Sequence, residues 1–505
     1  MENNNFDIVI IGSGLGGLVC AALLGKEGYK VCVLEKNRQI GGCLQTYVRD
    51  TVIFDSGVHY IGGLSKGENL YQIFKYLDII DQMKIKRMNI DVFDKICVFG
   101  ESHEYNFAQG HENFIEKLVV DFPEEEVGIR AYCEKIKEVC SKFPLYSLRV
   151  GDFYNEKENV LELNAKDVID SFTKNTRLQA ILAGNNPLYA GIPNKTPFYI
   201  HALILNSYIE SSWKCVDGGS QISKLLTKII REHGGDIRRN SEVKSIVEID
   251  KEIKYVELTN GSRVYGKEFI SNLHPAKTIE ITQSEIIKKA YRNRLKSLEN
   301  SVSSFTVNIV LKKNSFKYFD YNYYVHDEGT VWTGANYTTE NWPLGYALFL
   351  SASSKENEYA KGMTLLAYMN YEDVKQWAHT HNTVSELEDR GSDYDAFKKH
   401  KAELLILKAE EHFPGLRECI QSYYTATPLS FRDYIGSDDG SLYGVTKDYK
   451  NPLKSFISPR TKVKNLFLTG QNLSLHGILG VAISAIITSS MLVDLKTLLD
   501  KIRNA

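Results

Sequence analysis

A chain of 505 residues, 43% of them hydrophobic, can bury a core large enough for more than one domain, so it needs no disulfide or metal staple. Its 61 Lys and Arg against 63 Asp and Glu leave a formal charge of -2, which excludes a global field built for nucleic acid. The 8 cysteines form no CxxC pair and the 12 histidines no HExxH, so neither a disulfide framework nor a metal site is expected and a reducing compartment suits the chain.

The opening MENNNFDIVIIG lacks the basic start and long apolar segment of a secretory signal, so a cytoplasmic location is expected. Phe6 to Ile11 is a β-branched apolar run that predicts a buried parallel strand. Gly12-Ser13-Gly14-Leu15-Gly16-Gly17 follows at once. A helix over Leu18 to Gly28 would then set Leu18, Ala21, Ala22 and Gly25 on a narrow face against a sheet, and Tyr29 to Leu34 a second strand ending at Glu35.

In this unit Gly12 permits the tight turn, Gly14 lets backbone approach a pyrophosphate, and Gly17 permits close helix packing. Glu35, 23 residues after Gly12, is placed to accept hydrogen bonds from an adenosine ribose. The pattern predicts dinucleotide binding and does not choose between FAD and NAD. A carboxylate at Glu35 disfavours the extra phosphate of NADP.

Lys36 leads into Gly41-Gly42, and Phe54 to Gly63 carries Gly57, His59 and Tyr60 in a glycine-punctuated loop. Helices are expected around Glu112 to Val120 and Gly128 to Lys142. Leu182 to Trp213 is apolar, with Tyr189, Tyr199, Tyr208 and few charges; it is either domain core or the wall of a greasy channel. A helix over Ile222 to His233 precedes a strand at Ser241 to Ile246, which contains Val243, and a strand and loop over Phe269 to Ala276. Strands at Ser304 to Leu311, Tyr346 to Ala352 and Met363 to Met369 are followed by a solvated helix at Asp393 to Glu411. Near the end, Leu466 to Leu468 reads as a strand, Gly470 as a close-approach point before Gln471 and Asn472, and His476, Gly477, Gly480 and Val481 as the entrance to a helix. That helix, Ile478 to Leu492, carries serines and a threonine and is expected to be buried rather than to span a bilayer.

The segments at Gly12 to Gly17, Lys36 to Thr46, Gly57 to Gly63, Trp213 to Ile246 and Asn465 to Ala485 together resemble the extended glycine-rich signature of the phytoene desaturase, carotenoid isomerase and retinol saturase group within the amine-oxidase-like flavoproteins. The resemblance samples both ends and the middle of the chain. It implies an α/β fold in which a discontinuous Rossmann-type FAD-binding domain (1 to 75, 212 to 280 and 455 to 505) carries an inserted α+β substrate-binding domain (76 to 211 and 281 to 454). It implies that FAD is held by Gly12, Ser13, Gly14, Gly16, Gly17, Glu35, Lys36, Gly41, Gly42, Gly57, His59, Val243, Gly470, Gln471, Asn472, Gly480 and Val481. The group usually has an acidic residue where this chain has the amides Gln471 and Asn472, which leaves the anchoring side chain there unassigned. Tyr423 to Tyr434 and Gly440 to Gly444 resemble a segment that runs over the substrate side of the flavin.

The implied function is an FAD-dependent oxidoreductase that saturates or desaturates a carbon–carbon bond of a hydrophobic polyene such as a retinoid or carotenoid. A flavin-dependent cis–trans isomerase, an amine-oxidase-like enzyme and a non-catalytic FAD or lipid binder are the alternatives. No catalytic triad is legible. His59 and His476 could move a proton after hydride transfer, or be structural. The expected partner is a hydrophobic small molecule, with peripheral membrane contact left open and the redox partner unnamed.

Overall fold

The computed structural model describes residues 4–151, 156–157, 159–354, 358–385 and 387–505. Strand β1 (Asn5–Ile11) is buried along its apolar run and lies between β2 (Val31–Leu34) and Arg263–Ser271, parallel to both. The sheet continues past β2 to Asp236–Arg238, and on the other side through Glu252–Leu258, Val243–Ile249 and Thr282–Gln283, while Leu466–Leu468 joins Arg263–Ser271 in parallel. The chain therefore leaves β1 in one direction and returns on the other side, which makes the carboxyl end of β1 a topological switch point.

Helix α1 spans Leu15–Lys26, three residues earlier than the apolar pattern predicts, because the Gly14 carbonyl already accepts the Leu18 amide at 3.0 Å. Its residues Leu15 to Gly25 are all buried. Small residues allow this: the helices Gly477–Ser489 and Ser220–Glu232 press on α1, and Cys20 Sγ lies 3.5 Å from Thr469 Oγ1. The predicted burial of the C-terminal helix is observed, and among the described residues no helix is long and apolar enough to cross a membrane.

A second, seven-stranded sheet runs Ile420–Ala426, Ser303–Leu311, Gly362–Met369, Gly345–Leu350, Asn322–His326, Asp94–Val98, Glu104–Phe107. All its neighbours are antiparallel except Asn322–His326 with Asp94–Val98. That parallel pair stitches the two chain segments lying between the pieces of the first sheet. The charged helix with a solvated face expected over Asp393 to Glu411 is found at Ser392–His412, its other side, with Tyr394, Ala402, Leu405, Ile406 and Ala409, buried in the core of this second sheet. Helices Glu126–Ser141 and Phe198–Glu210 pack on each other at one side.

Candidate functional site

Four strand ends meet at the switch point. Gly12 donates its amide to Leu34 O at 2.8 Å, Asn272 donates to Ile11 O at 2.8 Å, and Thr469 donates to Ser271 O at 2.9 Å. These bonds place the glycine turn, Glu35, Asn272 and Gly470 along one carboxyl edge, where α/β sheets bind ligands. Gly12 has φ +92°, a value L side chains rarely adopt.

The glycines are required by contact. A Cβ on Gly14 would stand 2.6 Å from Asn272 Nδ2, and one on Gly16 or Gly470 would stand 2.6 Å from Asn272 Oδ1. A Cβ on Gly17 would overlap the Gly12 carbonyl oxygen, so α1 can leave the turn only without one. Gly14 also pairs with Gly41, and Gly42 lies against Gly14 Cα. Bare backbone from two strand ends, those of β1 and of Leu466–Leu468, thus surrounds one polar side chain, that of Asn272.

Glu35, 6% exposed, accepts Ser13 N at 3.0 Å and Ser13 Oγ at 2.6 Å on Oε2, and Asn37 N at 2.8 Å on Oε1. A carboxylate offers about four acceptor positions, so room remains for a further donor. Ser13 Oγ also accepts the Gly41 amide at 3.2 Å, which ties the second glycine loop to the first. Val243 begins its strand beside this edge, where Ser241 N donates to Glu35 O at 2.8 Å. Lys36 points elsewhere: its Nζ donates to Asp433 O at 2.9 Å. Asn472 is likewise occupied, its Oδ1 accepting Val445 N at 3.0 Å, while Lys447 donates to its carbonyl at 2.9 Å. Burial pushes Lys447 down to about 7.

Beyond this edge lies a partly open cavity of about 130 Å³, with the exposed Gly57 and Gly477 in its lining. Gly57 to Gly62 forms one wall, helix Phe198–Glu210 another, the second sheet the floor, and Leu475 to Gly480 the side nearest α1. Gly480 is fixed by packing, since a Cβ there would stand 2.7 Å from Leu475 backbone; Val481 beside it is buried. From the apolar stretch Leu182 to Trp213, Leu188, Leu203, Ile204 and Tyr208 reach the lining, while Tyr189 packs against the buried His201. No Asp, Glu, Lys or Arg lines the cavity.

The predicted histidines both reach it, in neutral form. His59 stacks on Phe349 at 4.2 Å and His476 Nε2 donates to Leu188 O at 2.9 Å; burial pushes each down to about 4. Their proton-donor role at neutral pH is weakened accordingly. Of the segments compared with the substrate side of a flavin, Tyr443 lines the cavity, its hydroxyl held on Pro187 O at 2.7 Å, but Tyr423 to Tyr434 lies outside the lining. Tyr424 is on the edge strand, bonded to Asp50.

Sequence reasoning missed a polar group behind the cavity. Tyr60 and Tyr324, both lining it, join hydroxyls at 2.8 Å; Tyr60 meets Asp94 Oδ2 at 2.8 Å, and Asn322 Nδ2 donates to Asp94 Oδ1 at 2.9 Å. Asp94 is fully buried, and desolvation pushes its carboxyl up to about 7 against the pull of Asn322, Tyr60 and Lys214. Lys214 is itself pushed down to about 8 by burial, its Nζ on Leu350 O at 3.2 Å. The only sequence signal was one Asp opening the apolar run DKICV. Elsewhere Cys97, Glu104 and His412 bring donor atoms within 4.8 Å of one another, but Lys95 already pairs with Glu104 and burial keeps the Cys97 thiol protonated.

Glycine-lined strand ends at the switch point thus lie beside a cavity with no Asp, Glu, Lys or Arg among the described residues of its lining. A profile described as an NAD(P)-binding Rossmann-like domain matches residues 10–77. The all-trans-retinol 13,14-reductase of Danio rerio is 26% identical to this chain, covering 97% of it and 86% of its own length. A chloroplastic prolycopene isomerase of Daucus carota is 24% identical, covering 96% and 79%. Among solved structures, an oxidoreductase of Methanosarcina mazei superposes with a TM-score of 0.63 at 15% identity, covering 95% of this chain and 99% of its own. The chain is a homologue of these reductases and isomerases, and an oxidoreductase of the flavin-dependent kind.

Proposed function

We propose that this protein is an FAD-dependent oxidoreductase that adds or removes two hydrogens at a carbon–carbon bond of a hydrophobic polyene such as a retinoid or carotenoid. The observation that carries the substrate class is the cavity: tyrosines, aliphatic side chains and two neutral imidazoles line it, with no carboxylate to pair with a protonated amine. The retinol reductase and prolycopene isomerase relatives support the same reading.

The residues at the strand ends fit FAD. The bare backbone of Gly12, Gly14, Gly16 and Gly17 admits a pyrophosphate to the amides opening α1, and Glu35 has acceptor capacity left for ribose hydroxyls. Ser13 and Gly41 hold that edge together, Gly42 closes on it, and Val243 flanks the adenine side. Gly470, Gly57 and Gly480 keep backbone close to the path toward the cavity. In this reading the strands of the first sheet make the cofactor domain and the seven-stranded sheet the substrate domain. Lys36 and Asn472 act through the protein groups they already hold.

Bound FAD supplies hydride chemistry. The chain's part is to orient the polyene between Phe349 and the Tyr208 face of the helix Phe198–Glu210 in a lining free of carboxylates and ammonium groups, and to move protons through hydroxyls. Anaerobic incubation of the FAD-loaded protein with retinoids and carotenoids, followed by mass analysis, tests the reading. A change of two hydrogens is expected. Conversion without mass change would make the protein an isomerase, and turnover of amines alone would refute the polyene class.

A further inference from the structure

We propose that Asp94, Tyr60 and Tyr324 form a proton-delivery chain ending in the cavity, with Tyr324 as the hydroxyl that protonates the substrate carbon and Asp94 as its internal acid. The proposal rests on the polyene-reduction reading and deepens it. Both tyrosines line the cavity, their hydroxyls are 2.8 Å apart, and Tyr60 is 2.8 Å from Asp94 Oδ2. Asn322 occupies Oδ1 as a donor, so a proton on Asp94 must sit on Oδ2, facing Tyr60.

The direction of the chain depends on that proton. With Asp94 ionised, Tyr60 donates to Asp94 and Tyr324 donates to Tyr60, so no hydroxyl hydrogen points at the cavity. With Asp94 protonated the order reverses: Asp94 donates to Tyr60, Tyr60 donates to Tyr324, and the Tyr324 O–H is released toward the cavity. A reduced flavin held at the strand ends would supply the hydride to one carbon of the double bond; the π pair would move to the neighbouring carbon, and Tyr324 would give that carbon its proton. The π bond breaks and two C–H bonds form; the flavin is oxidised and the polyene reduced. Tyr324 is refilled from Tyr60 and Tyr60 from Asp94, leaving a carboxylate that regains its proton back through Tyr60 and Tyr324 from water entering the partly open cavity between turnovers.

The groups facing Asp94 are Tyr60 from the glycine loop, Tyr324 and Asn322 from the neighbouring strand, and Lys214 from Ser212–Cys215; Tyr208 stacks on Tyr60 at 4.3 Å, and Asp320 with Lys86 acts on Lys214. Burial outweighs the Lys214 charge and holds the carboxyl near 7, so Asp94 carries its proton below that pH and loses it above. Reduction should therefore slow as pH rises through about 7.

The test joins two readouts on the FAD-loaded wild type, Asp94→Asn and Tyr324→Phe. In the substrate-free protein, pH-difference infrared spectroscopy should give a carboxylic-acid C=O component titrating near pH 7 in the wild-type-minus-Asp94→Asn difference, beside the bands of Asp55 and Glu210 that both proteins share. In turnover with a retinoid in heavy water, both variants should lose about 10²-fold in rate, Asp94→Asn should lose the pH dependence around 7, and both should retain flavin absorbance. A wild-type band in the ordinary carboxylate range would overturn the role of Asp94. Undiminished deuterium incorporation and rate in Tyr324→Phe would overturn that of Tyr324. A wild type that has the band near 7 yet never changes polyene mass would instead overturn the reduction reading, and the donor role of Tyr324 with it.

Discussion

The glycine-lined strand ends and the cavity of this protein, which we read as its nucleotide and reaction ends, are built by opposite means. At the nucleotide end, side chains are removed: Gly14, Gly16, Gly17 and Gly470 bring backbone within reach of Asn272 and of one another, where a single added carbon would collide. At the cavity, large side chains from widely separated segments converge, and the carboxyl of Asp94 stands a residue deep behind Tyr60. The first region works through amide donors that cannot be mutated away, only blocked. The second works through hydroxyls and a carboxyl whose state can change, so variants at the two ends should fail differently.

The largest expected effect is at Gly17. Gly17→Ala places a methyl group on the Gly12 carbonyl oxygen, and neither backbone can yield while β1 and α1 stay packed. We expect a loss of about 3 kcal/mol or more, read by chemical unfolding, or an insoluble protein. A soluble variant of wild-type stability would mean that the turn is looser than its contacts imply. Gly14→Val is milder for the fold, since the atom it meets belongs to a side chain that can swing. It should still obstruct the phosphate approach and lower FAD occupancy, measured by flavin absorbance per protein. Full occupancy would move the pyrophosphate away from this turn.

Glu35→Gln comes next. The carboxylate now satisfies three donors, and an amide supplies one acceptor oxygen and a competing N–H group. At least one buried N–H loses its acceptor, at a cost of about 1–3 kcal/mol, and FAD affinity should fall by about tenfold as Ser13 and Gly41 loosen. Titration of the apoprotein with FAD measures this; an unchanged affinity would separate Glu35 from the ribose.

How much of each region could be read beforehand follows from the same contrast. A backbone that must come close demands glycine, and a helix beginning at a strand end demands it at fixed local spacing, so Gly12 to Gly17 and Glu35 were legible in one unit. The C-terminal Gly470 and Gly480 were legible by the same logic. The Asp94 group was not, because Asp94 and Asn322 are 228 positions apart and meet only through a parallel strand register. Side-chain direction was not legible either: Lys36 follows Glu35 in sequence, but its Nζ reaches the Asp433 carbonyl. Asn272 lay in a segment read as strand and loop, and nothing local marked it as the side chain that the glycines surround.

The effect that is smallest at any one step of pH concerns stability around Asp94. Folding raises the Asp94 carboxyl from its ordinary 3.8 to about 7 by burial. The folded chain therefore holds a proton that the unfolded chain releases, and this contribution is fully present below about 3.8 and lost as pH rises through 7. Asp94→Asn cannot ionise and removes that slope. Wild type should lose roughly 1 kcal/mol per pH unit relative to the variant between about pH 5 and 7, measured as the difference in urea midpoints. Asp55 and Glu210, likewise pushed up to about 7 by burial, contribute equally to both proteins and cancel in the difference. Parallel stability curves for the two proteins would place the Asp94 proton elsewhere and return the tyrosine pair to a purely structural role, whereas converging curves toward low pH would tie the cavity's chemistry to a carboxyl that the cavity itself never exposes.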